Sequence, residues 1–455
     1  MSADASLATS IDTKVDASTD DTSLTQDLVD LVRRKPITEH DLDMAALFTL
    51  DAVANILGGR NSQPGGILID WAGSQANMLD AGRRGFLMGA LCHILETDDL
   101  HRASVVHPGC VVVPAAFALA DRVRGDGETL LRAVLSGFEA CTRVGMGVGP
   151  AHYKIWHNTA TCGGFGAAMA AADLFGLDDA QTVHALGNAG SQAAGLWQFL
   201  ETGAMTKHLH AGHAVEAGIK AAELAALGFT GPPKILEGDK GFFKATCPDA
   251  DPSRVTADPD APWQLTLTSI KPWPSCRHTH PAIDAAQEIR RKLGPDAVAL
   301  AQWIEVDAYQ AALDVCDNPT PSTDYEAKFS LQHCTAAALG LDEVDFAAFG
   351  PEGREGLAAM RERVAIAARE PYISAYPTAW GSKVTVRLVS GETLVAEREH
   401  AKGDPEAPLS REDMIAKARM LLAHGRVADP DRLIDDILAM SAGGPVPTLS
   451  LFDVA

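Results

Sequence analysis

The stretch His93–Gly109, HILETDDLHRASVVHPG, decides how the whole chain is read. It sets three histidines, three carboxylates and an arginine between two apolar runs with helical spacing, Arg83–Leu95 before it and Val111–Val123 after the HPG turn. So much titratable chemistry between core helices is either a capped polar helix end or a chemical site. Three further segments of the same kind favour the site: KIWHNTATCGGFG (Lys154–Gly166), MTKHLHAGHA (Met205–Ala214) and SIKPWPSCRHTHPAID (Ser269–Asp284).

Working outward, the chain is helix-rich. Asp27–Leu57 carries apolar residues at helical spacing and predicts two helices broken near Pro36. Glu128–Met146, preceded by Asp126 as cap, Thr161–Phe175, Asp179–Leu200 and Lys207–Leu227 continue helix after helix with short joins containing glycine. Small side chains let such helices approach closely. The texture changes after Gly228. Gly231–Pro262 is an irregular connection, Trp263–Ile270 alternates like a strand, and Pro281–Leu293 is helical. Ala301–Ala308 is strand-like, Tyr325–Leu339 is helical, and Lys383–Val389 with Thr393–Glu397 forms a hairpin. Leu409–Ala423 and Asp431–Met440 return to helix. The expected fold is mainly α with an α+β part: a leader over residues 1–25 without order, a helical domain over 26–262 and 405–455, and an α+β lid over 263–404.

Composition narrows the function. A length of 455 residues is too great for one ordinary core. The net charge of −22 argues against nucleic acid, which needs a basic footprint, yet leaves room for an anionic substrate held by a few pocket cations. None of the eight cysteines makes a CxxC pair, so zinc-ribbon and iron–sulfur ligation lack support. Cys92, Cys110 and Cys141 read as small buried hydrophobes of a reducing compartment. No apolar run is expected to span a membrane, and the acidic N-terminus lacks signal-peptide and transit-peptide features, so a cytoplasmic location is expected. GMGVGP (Gly145–Pro150) follows a helix rather than a strand, which argues against a dinucleotide loop. There is no GxSxG elbow for a serine hydrolase.

The clusters suit proton transfer beside an anion. Histidine titrates close to neutrality with little help, and His101, His107, His157, His208, His210, His213, His278 and His280 all fall within the four segments. His184, alone on an apolar face, reads as a core residue. Lys207 near a helix start, Lys271 before Pro272 and Arg277 in the same loop make a site for carboxylates, lysine as a point charge and arginine as a fork. Such cations also stabilise the enolate that forms when a proton leaves carbon next to a carboxylate. HLHAGH lacks HExxH spacing: on a helix His210 and His213 share a face while His208 points away, so neither a metal nor any other cofactor is expected.

These motifs resemble the MmgE/PrpD superfamily, which includes 2-methylcitrate dehydratase, cis-aconitate decarboxylase and iminodisuccinate epimerase. The resemblance covers most of the chain after about Asp27. It rests on HILETDDLHRASVVHPG, HNTATCGGFGAA, KHLHAGHAVEAG, GFTGP (Gly228–Pro232), KPWPSCRHTHPAID, EAKFSLQHC and GDPEAPLS (Gly403–Ser410), in family order. It implies a large helical domain with a smaller α+β lid, a homodimer, and metal-free chemistry beside a carboxylate of a small di- or tricarboxylate. It also implies catalytic roles for Asp98, Asp99, His107, His157 and Lys207, with Lys271 at the substrate. Arg277 is added as a carboxylate clamp, and His101 and His333 as further substrate contacts. The chain departs from the decarboxylase pattern D-x-DDT at Glu96 and Leu100, has Asn158 where proline is usual, and has His333 where tyrosine is common. The expected function is a metal-free lyase, either dehydratase or decarboxylase, on an acid such as 2-methylcitrate or cis-aconitate. The alternatives are an epimerase of the iminodisuccinate type and a protein that binds polycarboxylates without turnover.

Overall fold

The computed structural model describes residues 23–74, 80–123, 126–294 and 300–452. Residues 1–22 of the expected leader lie outside it. The leader's last three residues are ordered, because the Ser23 side chain accepts from the Gln26 amide and starts the first helix.

The first half is helical. The helices are α1 (Leu24–Arg34), α2 (Glu39–Gly59), α3 (Gln63–Gly73), α4 (Ala81–Cys92), α5 (Gly109–Ala118), α6 (Gly127–Gly147), α7 (Asn158–Phe175), α8 (Asp179–Gly190) and α9 (Thr206–Ala226). The break between α1 and α2 falls at Pro36, and Thr38 with Asp41 closes a capping box on α2. Helix α3 has no counterpart in the sequence reading, since only Gly65 and Ala72 of it are buried and no apolar stripe marks it. Helix α7 is buried along nearly its whole length, against α6 and α9. The α6–α7 approach is backbone to backbone: a Cβ on Gly137 would lie 2.8 Å from the Gly166 carbonyl oxygen. Helix α8 ends ten residues earlier than expected. The chain leaves the helix at Ser191, and Gly195, at φ 128°, lies in the loop that brings Trp197 over His157.

Trp263–Ile270 is not a strand. It forms a 3₁₀ turn at Gln264–Leu267, with Leu265 buried in the helical core and the Gln264 amide donating to Glu139 Oε2 at 2.7 Å. Among the described residues its ladder pairing is a single bridge between Ser269 and Leu100. The α+β region follows with α10 (His280–Leu293), β1 (Ala301–Ala308), α11 (Leu331–Gly340), β2 (Val364–Ala368), β3 (Ser382–Leu388) and β4 (Thr393–Arg398). The expected helix Tyr325–Leu339 is interrupted, because Ser330 caps α11 separately. The four strands run in the order β2-β1-β3-β4, with β1 and β2 parallel and the other pairs antiparallel. Strand β2, VAIAA, escapes the sequence reading because it is a short edge strand without polar alternation. Helices α10 and α11 pack in a second apolar core with this sheet. Helices α12 (Arg411–His424) and α13 (Pro430–Leu438) then return to the first core against α2.

Helix α2 is long and apolar enough to cross a membrane by length and composition, contrary to the expectation that no run reaches that length. In the fold, 89 % of that span is buried inside the protein. It also carries a polar bracket. Asp51 pairs with Lys417 of α12 at 2.5 Å, Lys417 donates to the Thr97 carbonyl at 2.6 Å, and the Thr97 hydroxyl bonds to Asn55. Both members of the ion pair are about 95 % buried, so each depends on the other for solvation. Lys417→Met is expected to cost about 3–5 kcal/mol of stability, read by denaturant unfolding. A double variant Asp51→Asn/Lys417→Met should recover part of that loss.

Candidate active site

The four clusters converge on one cavity of about 290 Å³ between the helical core and the α+β region, with Glu96, His107, His157, Lys207, Lys271 and Arg277 in its wall. Its floor is the loop after α4. Glu96 has φ 62° and Val105 φ 53°, left-handed backbone that glutamate and above all a β-branched valine seldom adopt, and both residues face the cavity.

Glu96 joins two lysines. Lys207 Nζ, from the first turn of α9, donates to Glu96 Oε1, while Lys271 Nζ donates to the Glu96 carbonyl at 3.2 Å and stands 3.8 Å from Oε2. Lys271 is also 3.9 Å from Asp98 Oδ1. Burial pushes the Glu96 carboxyl up, but Lys207 and Lys271 outweigh it and bring it down to about 2. Burial likewise opposes the Lys207 charge, and Glu96 outweighs it, holding that ammonium above its ordinary value.

Asp98 stands behind the histidines. Its Oδ2 lies 2.6 Å from His93 Nδ1 and 3.2 Å from His107 Nδ1. Burial would raise Asp98, but the two imidazoles turned on it hold it well below the ordinary carboxylate range. Burial lowers His93 to about 3, lowers His107, and takes His157 well below its ordinary value, with His93 and Lys207 adding to the effect on His157. At neutral pH the site therefore holds an ionised Asp98 and neutral imidazoles. His107 Nδ1 stands close to Asp98 Oδ2 outside hydrogen-bonding geometry, and a proton carried there would face the carboxylate and leave Nε2 with its lone pair. The His157 ring stacks on His93 at 5.4 Å and lies 4.6 Å from Trp197. Its Nδ1 meets His210 Nδ1 at 3.3 Å.

Arg277 reaches the cavity from the α+β side, where Asp404 pairs with it and His280 Nδ1 accepts at 2.8 Å. The remaining expected residues lie elsewhere. Asp99 does not orient a histidine: both its oxygens accept from the Gly109 amide at 3.1 and 3.0 Å, at the start of α5. Gly109 is required there, since a Cβ would come 2.8 Å from Asp99 Oδ2. His101 is turned away from the cavity and bonds Ser104 and Gln264 at 2.8 and 3.0 Å. His333 sits in the second core, with Nε2 against the Ala348 carbonyl at 2.9 Å and Nδ1 accepting from Arg361. Neither His101 nor His333 is placed to touch a substrate. Of the HLHAGH histidines, His208 meets the His93 carbonyl and His213 the Gln192 carbonyl, so they diverge. Sequence reasoning noticed Glu96 only as a departure and overlooked His93, Trp197, Tyr325 and Asp404. For Glu96 and His93 the signal was available, as both lie inside the opening stretch.

Among the described residues three groups could bring three ligand atoms together: His400, Asp404 and Glu406, where Asp404 is already paired with Arg277, and two at the cleft, His93, Asp98 and Cys110, or Asp98, Asp99 and His107. Both fit a cation poorly. Burial keeps the Cys110 thiol protonated, far above its ordinary range, the Asp99 carboxylate is taken by the Gly109 amide, and the Lys271 ammonium already faces Asp98.

Helical core, α+β region and a lysine–histidine–carboxylate cleft between them define a class. Residues 26–255 match the MmgE/PrpD N-terminal domain and residues 273–440 the MmgE/PrpD C-terminal domain, and the chain belongs to this family. Among its relatives, human cis-aconitate decarboxylase is 27 % identical over 350 residues, 73 % of this chain and 71 % of that protein. The cis-aconitate decarboxylase-like protein oryM of Aspergillus oryzae is 31 % identical over 232 residues, and cis-aconitate decarboxylase of Aspergillus terreus 27 % over 217. The matches span about half the length of those two fungal proteins, 48 % and 44 %.

The buried neutral histidines make the fold sensitive to acid. His101, His208 and His278 are lowered by burial to about 4, and His93 to about 3, from 6.5. Such groups take a proton in the unfolded chain first, so their stabilisation is complete above pH 6.5 and is lost as pH falls from there toward 4. Each can contribute up to about 1.4 kcal/mol per pH unit in that window. Tm should fall steeply between about pH 6.5 and about pH 5, before the carboxylates Glu96 and Asp98 take protons. A Tm constant across that range would contradict neutral buried imidazoles.

Proposed function

We propose that this protein is a metal-free lyase, a dehydratase or decarboxylase, that takes a proton from carbon next to a carboxylate of a small di- or tricarboxylic acid such as 2-methylcitrate or cis-aconitate. The observation that carries this proposal is a neutral His107 backed by ionised Asp98 in the same wall as Lys207 and Lys271. A base must be unprotonated at the start, and the imidazolium it becomes must be stabilised. Burial meets the first need and Asp98 the second.

In this mechanism Lys207, Lys271 and Arg277 hold the carboxylates, and the ammonium groups stabilise the enolate as the C–H bond breaks. His107 or His157 takes that proton. In a dehydration the imidazolium so formed returns it to the departing hydroxyl, which leaves as water while the alkene forms. In a decarboxylation the C–C bond to a carboxylate breaks, carbon dioxide leaves, and the carbon that keeps the electron pair takes a proton that a histidine has drawn from solvent, so no C–H proton need be removed first. Lys207 is a poor acid for either step, because Glu96 holds its proton firmly. A second histidine in the cavity also suits an epimerase, in which one neutral ring removes the proton and the other, once protonated from solvent, supplies one to the opposite face.

His157→Ala and Lys207→Ala are each expected to lower kcat by about 10²-fold or more while circular dichroism shows the fold intact. Product formation from an acid panel, followed after treatment with chelator, checks this. Near-full turnover by either variant would remove that residue from the mechanism. Tight binding of the acids with no turnover by the wild type would favour a protein that only binds.

A further inference from the structure

We infer that His210 is a positioning residue behind His157: through facing Nδ1 atoms it sets which nitrogen of His157 carries the proton, and it passes protons between solvent and the cleft. This rests on the function proposed above and gives its proton carrier a path to water.

The first ground is how His210 is satisfied. Neighbouring histidines are bonded to backbone carbonyls: His152 Nδ1 to that of Thr246 at 3.0 Å, His208 Nδ1 to that of His93 at 3.2 Å, and His213 Nε2 to that of Gln192 at 3.2 Å. Among the described residues His210 has one hydrogen-bond partner, the His157 ring at 3.3 Å. Burial lowers both imidazoles, His210 to about 4, so both are neutral at neutral pH. A neutral imidazole carries one N–H, so of two bonded Nδ1 atoms one donates and the other accepts. The tautomer of either ring thereby fixes that of the other. When His157 donates, its Nε2 keeps a lone pair and is a base. When His210 donates, His157 Nε2 carries the proton and is an acid.

The second ground is the housing of this contact. His157 is 2 % exposed and lines the cavity, whereas His210 is partly exposed. Trp197 covers the His157 ring, His93 stacks on it, and Phe199 meets the His210 ring at 5.6 Å. The backbone at Gly195 closes another side. Its carbonyl accepts from the His157 amide at 3.0 Å, and a Cβ there would come 2.5 Å from the Ala160 Cβ and 3.2 Å from His210 Nδ1. Rings and backbone thus surround the shared proton. A substrate in the cleft covers His157 Nε2, which leaves Nδ1 and His210 as the route to bulk water.

The passage balances in both directions. To deliver a proton, His210 Nε2 takes one from water, the His210 Nδ1 proton moves to His157 Nδ1, and His157 Nε2 gives its own to the carbon that holds the electron pair. To remove one, His157 Nε2 takes the substrate proton, the His157 Nδ1 proton moves to His210 Nδ1, and His210 Nε2 releases its proton to water. Once product leaves, the opposite passage, with water in the cleft as the partner of Nε2, resets both rings.

The test compares wild type with His210→Ala and His210→Gln on an acid that the wild type turns over. His210→Ala opens a space beside His157 Nδ1 that free imidazole fills, and His210→Gln keeps a polar partner that cannot relay. Both should lower kcat by about tenfold or more with KM little changed, while circular dichroism shows an intact fold. Added imidazole should restore turnover of His210→Ala in a saturable way. N-methylimidazole, which fills the same space with one nitrogen blocked, should not. Near-full turnover by either variant overturns the inference. Rescue by both bases alike, or by neither, also overturns it and leaves His210 a packing group. The bond itself is read without turnover, as scalar coupling between the two Nδ1 nuclei in wild type carrying isotope-labelled histidine, and its absence counts against the inference in the same way. Coupling with no acid turned over would sink the lyase and keep the bonded pair. Turnover that survives in both variants would do the reverse.

Discussion

Everything in the cleft depends on one carboxylate held between two ammonium groups. Glu96 satisfies Lys207 and Lys271 together, at a place where neither lysine could remain charged and alone. A buried lysine without a counter-ion sheds its proton and ceases to be a cation. Glu96 keeps both charged, and so keeps them available to a substrate. The cost is specificity for charge, since an incoming anion must share those lysines with a carboxylate that does not leave. The left-handed backbone at Glu96 fits this view, as a strained residue is retained where its side chain has no substitute.

The surrounding helices fix that loop. Lys417 and Asp51 clamp Thr97 from α12 and α2, and Asp99 fastens the other side to the first amide of α5. Asp98, between Thr97 and Asp99, has little freedom left, and its oxygen stays between His93 and His107. The two neighbouring aspartates thus divide the work: one sets the imidazoles, and the other sets the backbone that carries the first. The C-terminal helices are part of this arrangement, because Lys417 belongs to them.

Much of this was legible in the sequence, and what escaped has a physical reason. The helices from α4 to α9 show in apolar spacing because their cores are continuous. Strand β2 does not, since a short edge strand of small residues has no pattern to show. The alternation in Trp263–Ile270 misled because burial there does not follow it: every residue except Thr266 and Leu267 is buried, in a turn laid against the helical core. His107, His157, Lys207, Lys271 and Arg277 converge as their clusters suggested. His101, His333 and Asp99 were drawn in by composition, and only three-dimensional contacts reveal that each is satisfied elsewhere. Glu96 was visible from the start, but its value lies in two lysines about 111 and 175 residues away, which no local pattern encodes.

The central claim is that neutral His107, oriented by Asp98, moves a proton at carbon next to a carboxylate without a metal. The most direct measurement is proton NMR in deuterated water, with wild-type and His107→Ala protein stripped of divalent ions by chelator. The acids would be 2-methylcitrate, citrate, cis-aconitate and iminodisuccinate. Deuterium entering the carbon beside a carboxylate, or a new alkene signal, should appear with the wild type for at least one acid and vanish with the variant. Equal exchange by the variant, or exchange that returns only when a divalent ion is added back, would contradict it.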